Sequence, residues 1–250
     1  MAQPVVEIRD LAKAYRVRHE RIPSIKRAIV RLLRPYPTEL LWALRGVSFS
    51  AESGEAVGII GSNGSGKSTL LRLIAGILTP TQGEITVQGG AGGLFELAAG
   101  FHPELSGADN IYLSGALMGY SRRRVEERFR DIVEYSELGD FIDVPVKTYS
   151  SGMSLRLGFA TAIAFEPAVL LVDEVLAVAD ERFQRKAYSH LARLREKGST
   201  LFMVSHELAS IQRNCTRTIW LDKGEMRADG PTDRVVGEYL ARQGNGNATG

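Results

Sequence analysis

The chain holds a single cysteine, Cys215, which excludes an internal disulfide and any cysteine-based zinc cluster within it. A reducing, cytosolic setting is the natural expectation. Net charge is also scarce. Thirty-one Lys and Arg against 29 Asp and Glu leave a formal +2, so bulk charge gives no case for a nucleic-acid partner. No apolar run reaches the ~20 residues of a membrane span. The longest candidate, "PAVLLVDEVLAVAD", is broken by acids. The opening "MAQPVVEIRDLAK" lacks the basic-then-apolar layout of a signal peptide. No internal repeat is visible, and the sequon at Asn247 falls in a Gly/Asn-rich tail.

What is present suits a packed core: 250 residues, 44% of them hydrophobic and 24% charged. That length fits one large α/β domain or two small ones, and the patterning favours one domain over 1–250. "VVEIRDLAKAY" reads as a strand, and "LRGVSFSAESGEAVGIIG" as two more around a Ser53-Gly54 turn. "STLLRLIAGIL" has helical spacing, and "GEITVQG" is a short strand. From about residue 100 to 165 the pattern is helical, as in "SRRRVEERFRDIVEYSEL". "AVLLVD" then reads as a buried parallel strand, "ERFQRKAYSHLARLREKG" as a helix and "TDRVVGEYLARQ" as a last helix before a flexible tail at 242–250. The alternation predicts an α/β core with an inserted helical subdomain over about 100–165.

Residues 16–42 break this rhythm. Their middle reads as a basic amphipathic helix, with Ile22, Ile25, Ile29 and Leu32 on one side and Lys26, Arg27, Arg31 and Arg34 over much of the rest. Pro35 and Pro37 end it. Such a segment suits an anionic membrane surface or a membrane partner, and equally a solvated basic face packed on its own domain.

Chemistry concentrates in a few short stretches. "GSNGSGKST", Gly61 to Thr69, fits G-x-x-x-x-G-K-[ST], follows an apolar strand and opens a helix. Gly61, Ser62, Asn63, Gly64, Ser65 and Gly66 form a loop whose N–H groups can turn inward around phosphate oxygens, and the helix dipole adds to the attraction. Lys67 is placed for the β- and γ-phosphates, the Ser68 hydroxyl for Mg²⁺, and Thr69 adds a further donor. At the end of "AVLLVD", Asp173 is placed to hold Mg²⁺ through water, and Glu174 follows as candidate general base. His206 ends "FMVSH"; beside two nucleotide motifs it reads as a γ-phosphate contact rather than a structural histidine. "YSSGM" has the serines and glycine of a helix N-terminus yet no carboxylate, which leaves its N–H groups open to an anion.

The set "GSNGSGKST", "YSSGM", "VLLVDEVLAVAD" and "VSH", in this order and spacing, resembles the ATP-binding subunits of ABC transporters over nearly the whole chain. The resemblance implies a P-loop NTPase core with a mixed sheet, an antiparallel β part and the helical subdomain. It implies ATP and Mg²⁺ as cofactors, a homodimer, and integral-membrane permease subunits as partners, at the cytoplasmic face of the membrane. In that family the signature LSGGQ binds the γ-phosphate held by the opposite subunit. "YSSGM" matches it at Ser150 and Gly152, Ser151 keeps a small residue, and Met153 departs from glutamine. By the same likeness Tyr15 stacks on adenine, Asp180 communicates across the dimer, and Arg156 is the arginine that follows the signature. The family's usual glutamine has no counterpart: "GGLFELAAGFHPELSGADNI" offers Glu96 or Leu97, and Glu96 is the candidate for Mg²⁺ or water positioning.

"YSSGM" with "RLGFA", "DEVLAVAD", "GFHPELSGADNIYL" and the long insertion before "LRGVSFS" resemble one branch, the ATP-binding subunits of polysaccharide exporters for O-antigen, capsule and teichoic acid. A lipid-linked polysaccharide is then the substrate, reached through the permease, with no nucleic acid involved. Some members add a C-terminal carbohydrate-binding module, and none is expected within these 250 residues. The alternatives are an ABC ATPase for another exported or imported substrate, or a soluble one acting on nucleic acid or ribosomes. The soluble types resemble this chain less, because they need a coiled-coil insertion or a second ATPase domain.

Overall fold

In the computed structural model the described residues are 4–17, 39–93, 100–173, 176 and 179–246. They form two sheets. The first is antiparallel, in the order β2-β1-β4, with β1 Val6–Val17, β2 Glu39–Ala51 and β4 Gln82–Val87. The second is mixed, in the order β5-β6-β7-β3-β8-β9. Its strands are β3 Ala56–Ile60, β5 Ala91–Gly93, β6 Val169–Val172, β7 Thr200–Val204, β8 Arg217–Asp222 and β9 Glu225–Pro231. All neighbours there are parallel except β8 and β9, which form an antiparallel hairpin.

The central strands are apolar throughout because both faces are covered, and alternation sends successive side chains into different layers. Leu170, Val172, Leu201 and Met203 face one layer of helices. Those helices are α4 Ser151–Ile163, α5 Glu181–Glu196, α6 Leu208–Asn214 and α7 Thr232–Gly246. Val169, Leu171, Phe202 and Val204 face the opposite way, onto α1 (Lys67–Ile74) and the inner face of the antiparallel sheet at Ile8, Leu11, Leu44 and Val47. Burial of each such side chain contributes about 1.5–3 kcal/mol, so this double-sided core carries much of the fold's stability.

The remaining helices, α2 Gly107–Leu117 and α3 Arg122–Ser136, close a separate apolar cluster around Ile111, Val125, Ile132 and Leu157. Helix α4 joins the two regions. Its Phe159, Ala162 and Ile163 pack on the main core while Leu157 and Ala160 pack on α2 and α3. A helix with two partners needs apolar residues on most sides, and α4 is buried at Leu155 and from Leu157 to Ile163.

Three expectations change. Residues 16–42 are not a separate insertion throughout. Arg16 and Val17 extend β1, and 39–42 begin β2, with Arg16 opposite Leu40 and Val17 opposite Glu39. The amphipathic reading between these ends lies outside the described residues. The tail expected to be flexible from 242 is helical to Gly246, and Arg242 lies over the Trp220 ring at 5.6 Å. β5 was not foreseen: "AGG" has no β-branched residue and is a strand only through its pairing with β6.

The α5 seam carries a pH response. His190 is half-buried, edge-on to the Tyr135 ring at 5.2 Å, with the Arg193 guanidinium 3.4 Å from its Nδ1. Burial first, then the charge of Arg193, holds its pKa below the ordinary 6.5, with Lys197 and Lys186 acting the same way and Glu166 opposing them. The unfolded chain therefore takes up this proton more readily than the folded one, and the stability His190 confers is complete above pH 6.5 and falls as pH drops through the folded pKa. Glu137 is also held below its ordinary 4.5, mainly by the Lys186 ammonium, and its contribution fades only at lower pH still. Thermal melts are expected to show a first loss of stability below pH 6.5 that His190→Gln removes, with the more acidic loss unchanged. Identical pH profiles for the two proteins would contradict this.

Candidate active site

The parallel order β6-β7-β3 brings three strand ends to one edge of the sheet. β3 runs into the loop Gly61–Gly66, β6 into Asp173 and β7 toward His206. The edge of a parallel sheet beyond its strand C-termini is where such folds bind ligands. Here the loop, Asp173 and His206 line one cleft of about 330 Å³, which Tyr15 on β1 closes from the other sheet.

The loop follows from its glycines. Gly61, Gly64 and Gly66 have φ of 150°, 76° and 107°, values costly for any side chain. At Gly66 a Cβ would sit 2.5 Å from the Ala43 carbonyl oxygen and 2.7 Å from Leu44 Cδ2, so β2 presses directly on the loop. Gly66 stands where α1 would be capped, and it offers no side-chain acceptor to the first N–H groups; the first turn has no acid. Those donors and the helix dipole therefore face the cleft.

Two side chains show what the loop is shaped for. Lys67 is only 7% exposed, and its Nζ donates to the carbonyl oxygens of Gly61 at 2.8 Å and Ser62 at 2.9 Å. A buried ammonium on carbonyl dipoles can turn to an anion entering the cleft. Ser65 Oγ is buried, and among the described residues it is the one buried side-chain polar atom without a hydrogen-bond partner. Such an atom is costly unless a ligand or water completes it. A polyphosphate fits this cradle. Ser68 and Asp173 line the same cleft and offer a hydroxyl and a carboxylate, the hard oxygen donors that suit Mg²⁺ beside phosphate. At the far end the Tyr15 hydroxyl lies 3.5 Å from Thr69 Oγ1.

Other expected residues lie elsewhere. Glu174 and Glu96 are outside the described residues. Ser150 caps α4, its Oγ accepting from Met153 N–H at 3.2 Å. Ser150 and Ser151 are exposed, and a Cβ on Gly152 would meet nothing nearer than Ser150 Oγ at 3.9 Å. This chain thus leaves that helix start open, apart from the cleft. Asp180 caps α5, accepting from Phe183 N–H at 2.9 Å, and takes a hydrogen bond from Arg156 Nη2. The Phe183 N–H and then Arg156 hold its carboxyl below the ordinary range.

Sequence reasoning missed two groups. Glu137 pairs with Arg156 at 3.7 Å and with Lys186 at 2.7 Å, tying the start of α4 to α5 through residues far apart in the chain. Leu41, Trp42 and Ala43 line the cleft, although the first two fell inside the segment read as an insertion and the third follows it directly. The alternation of β2 alone does not reveal this; the pairing with β1 does. Cys215 is buried, and burial pushes its thiol up to about 12, so it has no part in the chemistry.

Comparison with known proteins agrees with this geometry. The ABC transporter family model matches residues 44–177. The chain is 43% identical over 238 residues to an O-antigen export system ATP-binding protein, RfbB, of Myxococcus xanthus, covering 93% of this chain and 54% of that protein. It is 40% identical over 242 residues to RfbB of Klebsiella pneumoniae, covering 95% and 98%. It is 40% identical over 236 residues to the teichoic acids export ATP-binding protein TagH of Enterococcus faecalis, covering 94% and 52%. It therefore spans about half of two of these relatives and nearly all of the third. In fold it resembles an ATP-binding subunit of an ABC transporter, with a TM-score of 0.75 at 22% identity over 94% of this chain and 93% of that one. It also resembles an ATP-binding cassette solved as a dimer with ADP and Pi, with a TM-score of 0.73 at 23% identity over 91% and 98%.

Proposed function

Because the chain belongs to the ABC transporter family, we propose that it is the ATP-hydrolysing subunit of an exporter that moves a lipid-linked cell-envelope polysaccharide across the cytoplasmic membrane. One observation carries the nucleotide part: Lys67, the unpartnered Ser65 Oγ, Asp173, His206 and Tyr15 converge on a single cleft. The glycan part rests on the O-antigen export relative that the chain spans almost completely. No described helix is long and apolar enough to cross a membrane. Translocation by integral-membrane permease partners is part of the same proposal.

The geometry suggests how the residues act. The loop N–H groups and Lys67 bind the phosphates, and Tyr15 holds the base end. Ser68 and Asp173, with Glu96 as a further candidate, would hold Mg²⁺, which would supply positive charge beside the phosphates. His206 contacts the γ-phosphate, and Glu174 takes the proton of the attacking water. Ser150 and Ser151, exposed in this chain, and Gly152 cap the γ-phosphate in the cleft of a second copy, where Asp180 also meets its partner. ATP then bridges two subunits and hydrolysis releases them. Residues 16–42 provide a further contact with the permease or the membrane surface.

The test is export. Cells lacking this chain should retain lipid-linked glycan on the inside. The wild-type gene should restore export and co-purify with an integral-membrane subunit, while Lys67→Ala should not restore it. Normal glycan export in the deletion strain would remove the proposal.

A further inference from the structure

Among the described residues, several large apolar side chains are exposed, and of these Leu41 alone lines the cleft. It is 59% exposed. An open leucine beside a ligand site is informative where a single scattered one would not be. Its position is set by register. Leu41 is directly opposite Tyr15 in the antiparallel pair of β1 and β2. Directly opposed residues share a sheet face, with Cβ atoms about 5 Å apart.

A bulge fixes the rest. Lys13 pairs with Leu44 and Ala14 with Trp42, so Ala43 is the extra residue on β2. Its carbonyl is the atom a side chain at Gly66 would strike. The bulge therefore seats β2 on the phosphate loop and carries Leu41 to the cleft's edge beside Tyr15. The cleft is polar at Lys67, Ser68 and Asp173 and turns aromatic and aliphatic at Tyr15 and Leu41. A nucleoside triphosphate has the same polarity from end to end.

We propose that Leu41 is a specificity-determining residue that forms the second wall of the nucleobase site, covering a planar purine that rests on Tyr15. This rests on the nucleotide reading of the cleft. The base covers the leucine, so binding buries apolar surface that the empty cleft leaves in water. Tyr15 alone gives one flat face; the pair gives a corner that holds the base in place.

The test uses the full chain and two probes, ATP and inorganic tripolyphosphate, which keeps the phosphates and lacks the base. Leu41→Ser changes an exposed side chain and should leave the melting temperature near wild type. It is expected to weaken ATP binding about five- to tenfold by calorimetry, with tripolyphosphate unaffected and Leu41→Met restoring most of the loss. Trp42 gives an independent readout, since the only other tryptophan, Trp220, is 8% exposed and lies against Tyr239. ATP should change the Trp42 emission more than tripolyphosphate does. Unchanged ATP affinity in Leu41→Ser overturns the inference, as does an equal loss for both probes, which would mean a disturbed loop. If wild-type protein binds neither probe, the nucleotide reading itself falls.

Discussion

Lys67→Ala is expected to lower ATP turnover by about 10³-fold, the scale lost when one preorganised charge on a transferring phosphoryl group is removed. The structure explains why no neighbour substitutes for it. The ammonium is held in a tight loop by Gly61 and Ser62 carbonyls, 2.8 and 2.9 Å away. An alanine leaves both oxygens without that donor, at about 1–3 kcal/mol for each buried acceptor that water does not reach. Stability should therefore fall modestly while turnover collapses. Lys67→Arg should fail as well, because a planar guanidinium does not fit where a compact ammonium is only 7% exposed. Phosphate release and thermal melts on both variants check this. Turnover within a few-fold of wild type in Lys67→Ala would mean that the loop does not hold the reacting phosphates.

The glycine loop between β3 and α1 was legible because its signals are local. Glycine φ values, the helix start and Lys67 all lie within nine residues, and the strand before them is apolar for a reason the sequence shows. The β6 strand and Asp173 were legible for the same reason. What escaped is non-local. Glu39 to Trp42 become strand only by pairing with β1 across the intervening segment, so a stretch with mixed polarity read as part of an insertion. Glu137 meets Lys186 at a separation of 49 residues, and neither has a pattern that names its partner. The likeness of "YSSGM" to the family signature pointed to phosphate from another subunit. In a single chain Ser150 and Ser151 are exposed, and a partner's phosphate is not a local feature that one chain can display.

Glu174→Gln is expected to separate binding from hydrolysis. The amide keeps the size and shape of the side chain and loses the ability to accept the water's proton. Removing a general base typically costs 10²–10⁴-fold, so turnover with the membrane partner present should fall by about that factor while ATP affinity stays near wild type. Asp173, the preceding residue, lines the cleft and retains its carboxylate, so the site keeps the oxygens proposed for Mg²⁺. The uncleaved γ-phosphate then bridges Lys67 of one copy and the open α4 start of the other, and dimer should accumulate with ATP but not with ADP. Light scattering on the variant reads this, and adding Ser150→Arg, which crowds the bridge with a large side chain, should return it to monomer. The two outcomes are linked through the same phosphate. If Glu174→Gln still hydrolyses ATP at near-normal rates, the base assignment is wrong. If it stops hydrolysing yet never dimerises, the base stands and the helix start at Ser150 has some other ligand.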